Sequence, residues 1–287
     1  MTKRLLSFGH GYSARALAAE LLEHGWTIYG TTRDAEKAEA LAVEGVQPII
    51  WGQGDIEPIL AKSTHILISA GPDEAGDPVL NTYGDLIREY AAQLDWAGYL
   101  STTGVYGDHG GGWVDEETPL APSTRRGEMR QAAEAQWRAV PGLPLHIFRL
   151  AGIYGPGRGP FAKVRRGTAR RIIKPGQVFS RIHVEDIAQV LAASIARPDP
   201  GAVYNLCDDD PAPPEEVIAY AAELLGLPVP EAVDFEAAEM TPMARSFYAE
   251  SKRVRNDRIK EALGVTLRYP DYRAGLQALA AAEKPEV

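Results

Sequence analysis

The chain has almost no cysteine: of 287 residues only Cys207 carries a thiol. One thiol closes no internal disulfide, so the small stapled folds of secreted domains are excluded and a reducing compartment fits. Long apolar runs are missing too. No uncharged hydrophobic stretch approaches the ~20 residues of a membrane span, and "MTKRLLSFGHGY" reaches glycine too soon to hold a signal-peptide core. A soluble, cytoplasmic protein is expected. Basic charge is in deficit, with 30 Lys and Arg against 39 Asp and Glu, net charge -9 and no long basic run. Neither nucleic acid nor a membrane is therefore an expected partner. The six histidines are scattered, without an H-x-x-x-H or H-E-x-x-H pair, so no metal site is expected. The acidic run Asp208, Asp209 and Asp210 reads as a solvated loop.

What is present is rhythm. "RLLSFG", "TIYGTT", "VQPIIW", "HILISA", "GYLSTT" and "LHIFRLAG" are short apolar runs. They alternate with "SARALAAELLEHG", "DAEKAEALAVEG", "PVLNTYGDLIREYAAQL" and the segment from Ser123 to Val140, whose apolar residues recur at three and four. Strand-helix repetition of this kind implies a parallel sheet covered on both faces, an α/β doubly wound (Rossmann) fold. Past residue 156 loops take over, and a smaller C-terminal substrate lobe is expected to close over the open end of the sheet. The expected division is 1–155 with 182–206 for the dinucleotide-binding domain, and 156–181 with 207–287 for the lobe. In the tail, "SKRVRNDRIKEALG" reads as a basic helix.

"LLSFGHGYSARALA" sets Gly9, Gly11 and Ala14 in a G-x-G-x-x-A pattern between the first strand and first helix. A dinucleotide needs this arrangement: a tight turn, bare backbone facing the pyrophosphate, and a small third residue for close helix packing. Tyr12 within the turn, and Ala70 at the end of "HILISA", join them as cofactor-binding candidates. About twenty residues beyond Ala14 stands Arg33, where an arginine pairs with the 2′-phosphate of NADP. NADP is the expected cofactor. Its neighbour Asp34 either keeps NAD as the rival or caps the next helix.

"YLSTTGVYG", "DEETPLAP", "FRLAGIYGPGR", "RIHVEDIA" and "VYNLCDDDP", in that order, resemble the extended short-chain dehydrogenase/reductase family, its NAD(P)-dependent epimerase/dehydratase branch. The resemblance spans Leu5 to about Leu225, and the tail is similar to an atypical bacterial subgroup. It implies a hydroxyl after the fifth strand, here Thr102 with Thr103 beside it. It also implies a tyrosine and, four residues on, a lysine that tunes it and holds the cofactor ribose. Aligned on the acidic residue that follows, Glu134, the lysine position holds Arg130 and the tyrosine position Arg126. The chain is thus an atypical member without the Tyr-x-x-x-Lys pair.

That replacement changes the chemistry. A tyrosine, ordinarily near pKa ~10, can be tuned to shuttle protons, but a guanidinium stays protonated and has no lone pair to accept with. Arg130 keeps a charge for ribose or phosphate, and Arg126 suits an anionic substrate group. The bland alternative is that both lie on a helix face and pair with Glu128, Glu134 or a neighbouring chain. Thr102, Tyr106, Arg126 and Arg130 are the catalytic candidates, with Tyr154 a weaker one. His183 and Asp186 are expected to order the lobe junction and its helix, Cys207 to be buried, and Asp115, Glu116 and Glu117 to sit on a solvated loop. The expected function is that of an NADP-binding reductase or epimerase/dehydratase acting on a sugar-like or carbonyl small molecule, anionic if Arg126 reads it. The alternative is a non-catalytic NADP-binding sensor or scaffold. A homodimer through the helices "NTYGDLIREYAAQL" and "MRQAAEAQWRAV" is a weaker expectation.

Overall fold

The alternating segments form one seven-stranded, wholly parallel sheet in a computed structural model whose described residues are 3–283. Its strands are β1 (Arg4–Phe8), β2 (Thr27–Thr32), β3 (Gln47–Ile50), β4 (His65–Ile68), β5 (Trp96–Thr102), β6 (Leu145–Leu150) and β7 (Val203–Leu206). They run in the order β7-β6-β5-β4-β1-β2-β3, with the sequence reversing direction between β1 and β4. That reversal opens a crevice at the carboxyl ends of the strands, where this architecture binds ligands. The fold class expected from the sequence is the one observed.

Burial explains the composition of each strand. All residues of β4 and β6 are buried, as continuous apolar runs covered on both faces should be. The outermost β3 carries Pro48, which lacks a ladder donor and is tolerated at an edge. On one face lie α1 (Tyr12–Glu23) and, later in the chain, α5 (Val184–Ala196), which bury Leu17, Leu21, Ile187 and Leu191. On the other lie α3 (Pro78–Tyr90) and α4 (Arg125–Arg138), which bury Val79, Ile87, Ala133 and Trp137. These buried residues of α3 and α4 pack toward this chain's own sheet. Their outer faces carry Asn81, Asp85, Arg88, Glu128 and Gln136.

Side-chain caps fix where the helices begin. Asp34 accepts from Glu36 N and Lys37 N at the start of α2 (Ala35–Val43), and Thr124 accepts from Gly127 N on α4. Asp77 accepts from Val79 N and Leu80 N on α3, while its other oxygen accepts from Trp137 Nε1 at 3.0 Å. The third of these couples two helices as well as capping one.

Beyond β6 a second cluster forms around Tyr154, Phe161, Val217, Tyr272 and Leu276, built from α6 (Pro214–Leu224) and α8 (Tyr272–Ala282). Asp186 fastens the tail: its carboxylate accepts from Arg268 N at 2.7 Å and Tyr269 N at 3.1 Å, so it anchors a loop rather than capping α5. His183 is the cap of that helix. The expected basic helix at 251–264 is shorter than its pattern suggests. Only α7 (Asp257–Leu263) is helical, and Arg253–Val254 pair as a strand with Trp113–Val114. The reason is competition for the backbone: Arg253 N and Arg255 N donate to Gly112 O and Val114 O of a distant loop.

Two buried rings set an acid limit. His10 and His65 are held neutral by burial, each with a pKa lowered to about 4. Unfolded imidazoles take up protons below about pH 6.5 and the folded ones only near 4, so this stability is lost as pH falls through that window. Asp186, raised by burial to about 6, opposes it, because the folded state takes up that proton first. We expect His65→Gln to flatten the pH dependence of urea-unfolding free energy between pH 6.5 and 4 by up to about 3 kcal/mol. An unchanged slope would show that His65 is not held neutral.

Candidate functional site

The turn between β1 and α1 has the geometry a phosphate group requires. Gly9 has φ +74°, and a Cβ there would lie 2.7 Å from Ala70 N, so neither the dihedral nor the space admits a side chain. Gly11 enters α1 with no side-chain cap, and no acidic residue occupies the first turn. The amides of Tyr12, Ser13 and Ala14 therefore face the crevice side of the turn as unused donors. Ala14 is fully buried, as close packing demands. The turn is held from below by Thr31, whose hydroxyl accepts from Gly9 N at 2.7 Å and whose carbonyl accepts from His10 N at 2.9 Å. Thr31 was invisible as a motif residue because β2 gives no sign of what its Oγ1 touches.

The Tyr12 hydroxyl donates to Pro156 O at 2.9 Å, with the Arg158 guanidinium over its ring, fastening α1 to the loop after β6. A groove of about 490 Å3 lined by Tyr12, Ala16, Ala19, Leu22 and Glu44 runs along the outer face of α1 rather than across the strand ends. Arg15 is paired with Glu44 there.

The end of β2 sorts its two charged residues. Asp34 gives Oδ1 to two amides of α2, and its Oδ2 lies 3.7 Å from Lys37 Nζ. Arg33 is exposed and makes no hydrogen bond or ion pair among the described residues.

At the end of β5 the chain enters a single 3-10 turn, Thr103–Tyr106, capped by Thr102 Oγ1, which accepts from Gly104 N at 3.1 Å. The hydroxyl proton of Thr102 stays available to a ligand. The first turn of α4 lies against this element, and a Cβ on Gly127 would be 2.8 Å from Gly104 O. Arg126, Arg130 and Glu134 follow one another at spacing four, along one face of α4. Arg130 reaches the strand ends: Nη1 donates to Leu100 O at 2.7 Å and Tyr99 Oη at 3.1 Å. Its Nη2 lies 3.1 Å from where a Cβ of Gly71 would be. Glycine at the end of β4 makes room for the wide guanidinium head. Arg126, one turn earlier, is exposed and makes no hydrogen bond or ion pair among the described residues. Pairing of either arginine with Glu134 is ruled out, because Glu134 is engaged elsewhere.

Glu134 belongs to a buried network that sequence motifs did not reveal. Arg149 of β6 donates to it through Nη2 at 2.8 Å and Nε at 3.2 Å, and Ser101 Oγ donates to the same carboxylate. Both charged side chains are 4% exposed or less. Arg149 Nη1 also donates to Tyr106 Oη at 2.9 Å, and Tyr106 in turn donates to Asn205 Oδ1 at 2.7 Å. Tyr106 is fully buried and its hydroxyl is pushed up to about 12 by burial. This geometry corrects its candidacy for proton transfer, since it is a beam between β6 and β7. Tyr154 is likewise buried against Gly275, with its pKa raised by burial. Cys207 lies buried in the core, and its thiol donates to Val254 O at 3.1 Å. In the acidic loop Glu117 is exposed as expected and pairs with Arg258, while Glu116 is half-buried and accepts from Asn205 N at 2.8 Å. Asp209 pairs with Lys260 and Asp210 with Arg273.

The C-terminal chain returns as a strap over this end of the sheet. Ser251 exchanges hydrogen bonds with Asp108, His109 and Gly111. Lys252 Nζ donates to Gly107 O and pairs with Glu250, both at 2.6 Å, and Ser123 Oγ donates to Glu250 at 2.7 Å.

A parallel sheet in this order, a glycine turn without room for a Cβ, and a hydroxyl and a cation at the ends of β5 and β4 match one family, whose profile covers residues 8–207. The chain belongs to the NAD dependent epimerase/dehydratase family. A conserved protein of unknown function from Silicibacter pomeroyi is 66% identical, covering 98% of this chain and 99% of its own, with a TM-score of 0.95. Protein YeeZ of Escherichia coli K12 is 28% identical over 94% of this chain and 97% of its own. The human epimerase family protein SDR39U1, solved with NADPH, shares the fold at 18% identity, with a TM-score of 0.74 over 97% of this chain and 99% of its own. No helix among the described residues is long and apolar enough to cross a membrane.

Within this family member the buried pair is the most breakable contact near the crevice. Glu134→Gln leaves the Arg149 charge buried without its counter-ion and should lower the unfolding free energy in urea by about 3 kcal/mol. A loss below about 1 kcal/mol would mean that the Ser101 and Tyr106 contacts hold Arg149 without the carboxylate.

Proposed function

We propose that this chain binds NADP(H) across the carboxyl ends of β1, β2, β4 and β5 and transfers hydride to or from a carbonyl or sugar-like small molecule. One observation carries the cofactor choice. Asp34, the residue that would hold a ribose 2′-hydroxyl, is occupied as a helix cap, while the neighbouring Arg33 has no partner among the described residues. Gly9, Gly11 and the uncapped amides of α1 fit a pyrophosphate, and Arg130 beside Gly71 fits the nicotinamide ribose. The bound cofactor supplies the hydride. Thr102 orients the substrate oxygen with its free hydroxyl proton, and the strap excludes water from that end. The NADPH held by the human relative supports this reading. A second reading, an NADP-binding sensor without turnover, is favoured by the burial of Tyr106 and Tyr154, which leaves no tyrosine free for acid/base work at the described strand ends.

Titration with NADPH and NADH tests the reading. Arg33→Ala should weaken NADPH at least tenfold, the scale of a charge-assisted contact, and leave NADH unchanged. Equal loss for both nucleotides would move the 2′-phosphate away from Arg33. Gly71→Val, which crowds Arg130, should weaken both nucleotides about tenfold through lost ribose contacts.

A further inference from the structure

Resting on that cofactor reading, we infer that Arg126 and Thr102 together form a fixed-charge oxyanion site, which makes this a reductase of oxo acids rather than an epimerase. The inference starts from donors and acceptors. An enzyme that opens by oxidising an alcohol needs a base to take the hydroxyl proton. None is placed for it among the described residues named as candidates. Tyr106, Tyr154 and Cys207 are buried and engaged, His183 caps α5, and a guanidinium at the first turn of α4 has no lone pair.

Reduction makes the opposite demand. When a carbonyl carbon receives a hydride, the C–H bond forms and the C=O π pair moves onto oxygen. The nicotinamide that gives the hydride is left oxidised. The oxygen, now an alkoxide, takes a proton from water, which leaves hydroxide. What the protein must supply is donors aimed at the developing charge. Thr102 offers its hydroxyl proton, which meets no acceptor among the described residues, while its oxygen accepts from Gly104 N. Arg126 offers a guanidinium with no competing acceptor among the described residues. It stands one turn before Arg130 at the start of α4, where its neighbour Gly127 packs against Gly104 of the 3-10 turn that Thr102 caps. Its neighbours leave it uncommitted: Arg125 is paired with Glu74 at 2.8 Å, Arg130 with the strand ends, and Glu250 with Ser123 and Lys252. A planar fork beside a hydroxyl donor matches the adjacent carboxylate and alkoxide oxygens of a reduced oxo acid.

Oxalate carries two such oxygen pairs and stays a dianion above pH 6, so it serves as the probe. Calorimetric titration of the NADP⁺-loaded protein should show oxalate binding, weakened at least tenfold in Arg126→Gln and about threefold in Thr102→Val. NADPH affinity should be unchanged in both. Glycolate, whose hydroxyl lacks the second oxyanion, should bind at least tenfold more weakly than oxalate. Affinity should be flat from pH 6 to 9, because the probe stays a dianion and the two proposed donors are a guanidinium and a hydroxyl. Absence of oxalate binding, equal binding by Arg126→Gln, or glycolate binding as tightly as oxalate would overturn the proposal. A pH dependence abolished by Lys252→Met would also overturn it, by moving the anion to the strap. Failure of the wild type to bind NADPH would instead sink the cofactor reading, and the two failures are read separately.

Discussion

The ion pair between Glu134 and Arg149 is the contact around which the carboxyl end of the sheet is arranged. Two charges taken out of water cost several kcal/mol each unless every donor and acceptor is met. Here the carboxylate accepts from Ser101 and twice from Arg149, and the guanidinium also reaches Tyr106. That satisfaction has a geometric result. β5, β6, α4 and the 3-10 turn after Thr102 are each held by one member of the network, so Thr102 and the first turns of α4 cannot move independently. Arg130 is directed to the strand ends because the residue one turn further along its helix is fixed in the core.

The cofactor end depends on a different constraint, lack of space. Gly9 turns where Ala70 already sits, and Gly30 leaves room for the His10 ring, which would come within 2.7 Å of a Cβ. Gly71 leaves room for Arg130 in the same way. A guanidinium is a wide head group, and the glycine facing it leaves the space it needs, a fit read through a distance that no spacing rule contains.

The tail contributes through backbone contacts. Ser251 alone engages two segments, the 108–111 loop and the 176–178 loop. A stretch with helical periodicity therefore becomes a strap and a two-residue strand, because its amides find acceptors in a loop some 140 residues earlier. Local propensity loses to tertiary hydrogen bonding here. Tyr106 shows the same limit. The "VYG" element marked it as near the site, and it is near, but whether a tyrosine faces a ligand or braces two strands depends on which side chains lie across the sheet.

By itself the sequence determined the parallel sheet, the glycine turn, the position of Arg33 and the absence of a tyrosine at residue 126. These are set by periodicity and short-range spacing, which act over one or two turns of chain. Only the tertiary structure decided that Asp34 is a cap, that Glu134 belongs to Arg149 rather than to Arg130, that Tyr106 is a beam, and that Arg126 stands without a partner among the described residues. The physical reason is common to all four. A side chain's role follows from which donors and acceptors compete for it, and those competitors come from segments brought together by the fold rather than by the order of the chain.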